Sequence, residues 1–286
     1  MDVAVLGTGS HGRNVTRRCV DAGHDVRLYA EDANVVMDSV DAVDRELSDT
    51  PVTDHVTGTT GLAGAVEDAD VVVDTTDGDT GAKRELVAEV ETMIAEETLV
   101  ATGDTTVSVT AVAAGLRRPD RAVGLHFVED ALVEVVLADQ TVAETRNRAT
   151  AFVEGLDCEP VVVADAPGLA APRLELARIA EAIRMAQSGV ATVPAIDRAA
   201  TRDTEGHGPL ARADAMGLDT VLARLEALTA RLGARFEPPA LLEEAVAEGR
   251  LGRRTGEGFY VWTEGDPAEP GDLVPGGPTA DGSDRL

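Results

Sequence analysis

Along residues 1–165, short continuous apolar runs alternate with longer stretches whose apolar residues recur every three or four positions. The runs at 2–6, 25–29, 70–73, 98–101 and 122–127 read as strands buried on both faces, with helices between them. This alternation predicts a Rossmann-type, doubly wound α/β fold with a mostly parallel sheet. Two further runs, 132–137 and 160–163, are expected as edge strands. Asp165-Ala166-Pro167-Gly168 then breaks the pattern, and from 173 to 250 Ala, Leu, Arg and Glu dominate at helical spacing. The chain is therefore expected to comprise an α/β domain (1–165), an all-α domain (166–262) and an acidic Gly- and Pro-rich mobile tail (263–286).

Charge changes the picture more than composition does. The 286 residues carry 52 Asp and Glu against 25 Lys and Arg, a formal net charge of -27, while 44% are hydrophobic. The apolar share suffices for a core, so the surplus carboxylates are expected to coat an ordinary fold. We read this coat as halophilic, adapted to a salt-rich cytoplasm whose counterions screen self-repulsion. It argues against nucleic acid or an anionic membrane as partner. Cys19 and Cys158 belong to no metal-spaced cluster and no histidines pair at i, i+4, so no metal is expected. The amino terminus enters a strand pattern directly, without a secretory signal, which together with unclustered thiols suggests a cytoplasmic protein.

Gly7-Thr8-Gly9-Ser10-His11-Gly12 follows the first strand and opens a helix, the context in which G-x-G-x-x-G binds a dinucleotide. The first glycine permits the tight turn, the second the approach of a pyrophosphate, the third close packing of helix on strand. Gly7, Gly9, Ser10, His11 and Gly12 are thus candidate cofactor residues, the alternative being a purely structural glycine turn. Glu31, just past the second strand, is the candidate for the ribose diol and favours NAD, although Arg27 keeps NADP open. Asp32 reads at least as well as a helix cap.

At the carboxyl end of the 122–127 run stands His126, with Glu134 eight positions on in an apolar setting. A carboxylate that orients an imidazole is the usual arrangement of a general base. By pattern alone, His126 reads equally well as a hydrogen-bonded core histidine. The turn Thr102-Gly103-Asp104-Thr105-Thr106 lies on the same expected sheet edge, where its hydroxyls could bond a substrate oxygen or satisfy loop backbone.

Together these blocks resemble the 3-hydroxyacyl-CoA dehydrogenases. The resemblance runs from residue 2 to about 262 and includes Gly124-Leu125-His126-Phe127, Leu132-Val133-Glu134-Val135, Asp165-Ala166-Pro167-Gly168, Gly208-Pro209-Leu210 and the block from Gly249 to Tyr260. It implies NAD-dependent oxidation of a (3S)-3-hydroxyacyl-CoA to the 3-ketoacyl thioester, with His126 as base, Glu134 as its support, Thr105 bonding the substrate oxygen and Lys83 near the cofactor. It also implies a homodimer paired through the helical domain. Three asparagines of the family pattern are replaced here, by Gly103, Glu129 and Pro172, and the loop after Phe127 is shortened. These departures keep a smaller non-CoA hydroxy acid, or a non-catalytic dinucleotide-binding role, as alternatives.

Overall fold

The computed structural model describes residues 1–47, 55–103, 107–128, 132–201 and 207–273. The chain divides into two compact units, Met1–Ala170 and Ala171–Leu286.

The first unit is built on an eight-stranded sheet of order β3-β2-β1-β4-β5-β6-β7-β8. Its strands are β1 (Asp2–Leu6), β2 (Asp25–Tyr29), β3 (Val56–Thr59), β4 (Val71–Asp74), β5 (Leu99–Thr102), β6 (Ala122–Val128), β7 (Leu132–Leu137) and β8 (Glu159–Ala164). Every neighbouring pair is parallel except β6 and β7. Helices α1 (Ser10–Asp21), α2 (Ala33–Glu46), α3 (Leu62–Val66), α4 (Thr80–Glu91), α5 (Val109–Ala113) and α6 (Ala143–Gly155) lie between them. Val3 and Val5 join the core on one sheet face and Ala4 and Leu6 the core on the other, so β1 is buried on both sides.

Several expectations need correction. Of the two late strands only β8 is an edge; β7 lies inside, between β6 and β8. The opposite edge is β3, which the apolar pattern passes over because only Val56 of its four residues is buried. The α/β unit also extends past residue 165. Asp165 accepts hydrogen bonds from Ser108 Oγ (2.6 Å) and the Thr110 amide (2.8 Å), and Leu169 packs in the core with Val109 and Val112.

The second unit is helical, with α7 (Ala171–Gln187), α8 (Val193–Ala200), α9 (Pro209–Met216), α10 (Leu218–Leu232) and α11 (Ala240–Ala247) around one apolar cluster. Pro172 sits in the first turn of α7, where its missing N–H breaks no bond. The block from Gly249 to Tyr260 is explained by Asp214, a fully buried carboxylate on α9. It accepts from the Phe259 and Tyr260 amides, both at 2.9 Å, and from Trp262 Nε1 at 3.0 Å. A side chain at Gly258 would collide with the Asp214 carboxylate, and one at Gly252 with its backbone. Asp197 stands beside it, accepting from the Leu210 and Ala211 amides and the Tyr260 hydroxyl. Burial pushes Asp214 up to about 6, against the pull of its three N–H donors.

Residues 263–273 do not begin a mobile tail. Strand β9 (Tyr260–Thr263) pairs antiparallel with β10 (Asp266–Pro270), and Leu273 packs into the helical core. Residues 274–286 of the expected tail lie outside the described residues. Among the described residues no helix is long and apolar enough to cross a membrane.

Candidate active site

The glycine turn links β1 to α1 at the carboxyl edge of the sheet, beside the point where strand order reverses between β1 and β4. Gly7 has φ +109°, and a Cβ there would lie 2.8 Å from the Thr75 carbonyl carbon. A Cβ at Gly12 would collide with the Gly7 carbonyl oxygen. At Gly9, by contrast, a Cβ would meet nothing within 4 Å. Gly9 caps α1 without a side-chain bond, and exposed Ser10 opens the helix, so the first-turn amides and the helix dipole face open space. This cradle fits a pyrophosphate.

Exposed Glu31 stands two residues beyond the end of β2, on the same edge. Asp32 is the helix cap, its Oδ1 accepting from the Asn34 amide at 2.8 Å and the Val35 amide at 3.3 Å. Arg27 points the other way, its Nη2 lying 3.3 Å from Asp2 Oδ1 and 3.8 Å from Asp68 Oδ2. Both partners belong to the amino edge of the sheet, which removes Arg27 as a candidate for a 2′-phosphate.

Lys83 differs from expectation. Its side chain is 1% exposed, and Nζ donates to Asp74 Oδ2 (3.0 Å) and the Thr76 carbonyl (2.6 Å). Asp74 Oδ1 accepts in turn from the Thr76 amide and hydroxyl, at 2.9 and 2.6 Å. The ammonium therefore braces the turn after β4 from beneath instead of reaching toward open space. The signal for this pair was in the sequence, an aspartate ending an apolar strand nine residues before the sole lysine.

The eight-residue spacing of His126 and Glu134 has a simple geometric meaning. In the β6–β7 ladder Leu125 faces Val135, His126 faces Glu134 and Phe127 faces Val133, so the two side chains are direct cross-strand neighbours on one sheet face. His126 Nδ1 lies 2.8 Å from Glu134 Oε2. Glu134 is fully buried, and its Oε1 accepts from the Ala170 amide at 2.9 Å. A buried carboxylate this close selects the tautomer with the proton on Nδ1 and the lone pair on Nε2, an arrangement able to accept a proton at Nε2. Sequence reading missed Ala170, whose amide is aimed by the Asp165 anchor and by positive φ at Gly168 and Leu169. That anchor gives Asp165-Ala166-Pro167-Gly168 its role. Thr105, Glu129 and Asp130 lie outside the described residues.

His11, in the first turn of α1, reaches along the edge to β5 and β6. Its ring packs edge-on against Phe127, centroids 5.8 Å apart, and its Nε2 lies where a Cβ on Gly103 would be. The described residues contain no group of three or more His, Cys, Asp or Glu that could hold a metal ion.

Comparison with known proteins agrees with this architecture. Residues 2–166 match the family model for the 3-hydroxyacyl-CoA dehydrogenase NAD binding domain, and residues 168–262 match the model for that enzyme's C-terminal domain. A 3-hydroxybutyryl-CoA dehydrogenase of Clostridioides difficile is 28% identical over 92% of this chain and 100% of its own. One from Bradyrhizobium diazoefficiens is 31% identical over 93% of this chain and 96% of its own. The crystal structure of (S)-3-hydroxybutyryl-CoA dehydrogenase from Ralstonia eutropha superposes with a TM-score of 0.84 at 27% identity, covering 92% of this chain and 99% of that one.

Proposed function

Because the chain belongs to the 3-hydroxyacyl-CoA dehydrogenase family of NAD-dependent oxidoreductases, we propose that it oxidises a (3S)-3-hydroxyacyl-CoA to the 3-ketoacyl-CoA, with His126 as general base. The observation that carries this reading is the 2.8 Å bond between His126 and the buried Glu134. NAD, when bound, supplies the hydride acceptor. His126 Nε2 takes the hydroxyl proton as the carbonyl forms, and the imidazolium so created is stabilised by Glu134. The Ala170 amide keeps the carboxylate from rotating away. Thr105 is the proposed donor to the substrate oxygen, and Glu31 the partner of the cofactor's ribose. The bracing of the turn after β4 is the proposed role of Lys83. We further read the protein as a cytoplasmic homodimer paired through its helical unit.

The test follows NADH oxidation with acetoacetyl-CoA in molar potassium chloride, beside His126→Ala and Glu134→Gln. His126→Ala is expected to lower kcat about a thousandfold, and Glu134→Gln about a hundredfold, with NADH binding retained in both. A wild type that binds NADH yet reduces no thioester would overturn the proposal. Activity on a free 3-oxo acid but not its thioester would overturn the CoA assignment.

A further inference from the structure

A single side chain bridges the two halves of the sheet edge. His11 leaves the glycine turn of β1 and α1, the adenosine and pyrophosphate half of a dinucleotide site, yet its ring rests on residues that end β5 and β6. A doubly wound sheet places the second mononucleotide over that far half, across the reversal of strand order. The contact is tight on both sides. A Cβ at Gly103 would collide with His11 Nε2 and lie 2.8 Å from its Cδ2, so no side chain at 103 is compatible with this ring position. Phe127 closes the other flank with its ring at 69° to the imidazole. Gly103 has no positive φ that would demand glycine, so the space for His11 is the reason for the residue.

We propose that His11 is a cofactor-positioning residue for the nicotinamide riboside end of NAD, and that Gly103 serves to seat it. The proposal rests on the dehydrogenase reading above and assigns residues 11 and 103 to one unit. Half-buried and flanked by Phe127, the imidazole offers a flat, polarisable floor where an aliphatic side chain would offer only bulk. His126 projects from the opposite face of β6 to Phe127, so His11 acts on the cofactor's placement and leaves proton removal to His126.

The experiment measures NADH and ADP affinity in molar potassium chloride for wild type, His11→Ala, Gly103→Ala and the double variant, with thermal unfolding alongside. ADP keeps the adenosine and both phosphates and lacks the nicotinamide riboside. His11→Ala is expected to raise the NADH Kd about tenfold, the scale of one aromatic contact, and to leave the ADP Kd and the melting temperature unchanged. Gly103→Ala should weaken NADH binding similarly by displacing the ring, and the double variant should be no weaker than His11→Ala alone. An unchanged NADH Kd in His11→Ala would overturn the proposal, as would an equal loss of ADP affinity or additive effects in the double variant. A wild type that binds ADP but not NADH would overturn the dehydrogenase reading itself.

Discussion

Gly9 and Gly12 are indistinguishable as letters in a motif, but the structure separates what each excludes. Gly12 is required by the protein, since a Cβ would strike the Gly7 carbonyl; Gly9 is required by nothing within 4 Å. Gly12→Ala should therefore destabilise the fold by a few kcal/mol, visible in thermal unfolding. Gly9→Ala should unfold at the wild-type temperature and lose NADH affinity by at least tenfold; an intact NADH Kd would show that no ligand approaches there. Lys83 makes a comparable distinction among the charges. Removing its partner with Asp74→Ala strands a buried ammonium and should cost about 3–5 kcal/mol, whereas Asp74→Leu with Lys83→Met should recover most of that in the same melting assay. The sequence held both members of this pair nine residues apart, but not the turn between strand and helix that brings them to 3.0 Å.

At the scale of elements, periodicity revealed most strands of the sheet and its mostly parallel sense, but not the one antiparallel pair. The runs at 122–127 and 132–137 were legible, but their antiparallel pairing, which turns an eight-residue spacing into a cross-strand pair, depends on the connection between them. β3 was illegible because its Thr and Gly residues are mostly outside the core, as a short edge strand allows. The Asp214 cage was hidden for another reason: its donors lie 45 to 48 positions away, and a lone aspartate in an amphipathic helix reads as surface. The cage predicts a pH effect. With the folded carboxyl near 6 and the unfolded one near 3.8, its contribution to stability is full below about pH 4 and falls away as pH rises to about 6, by about 3 kcal/mol. Unfolding of wild type against Asp214→Asn across pH 4 to 7 checks this: the difference in slope should be confined to that window. A difference that instead grew above pH 7 would show another group at work.

For the molecule as a whole, the net charge of -27 sets the conditions under which every other property is measured. Repulsion among carboxylates acts over about 10 Å at 0.1 M salt and about 3 Å at 1 M, so the melting temperature should rise by roughly 10 °C between these two potassium chloride concentrations. An unchanged value would show that the acidic coat costs the folded state nothing. The binding of anionic CoA and NADH should strengthen over the same range, unlike that of phosphate ligands to a basic protein. The buried Asp214 belongs to a different economy from that coat, and it has a consequence for how the chain comes into being. During synthesis α9 leaves the ribosome well before Phe259, Tyr260 and Trp262 exist to receive its carboxylate. Until they emerge, the helical half of a growing chain must hold that aspartate in water, so its final packing waits for donors made 45 to 48 residues later.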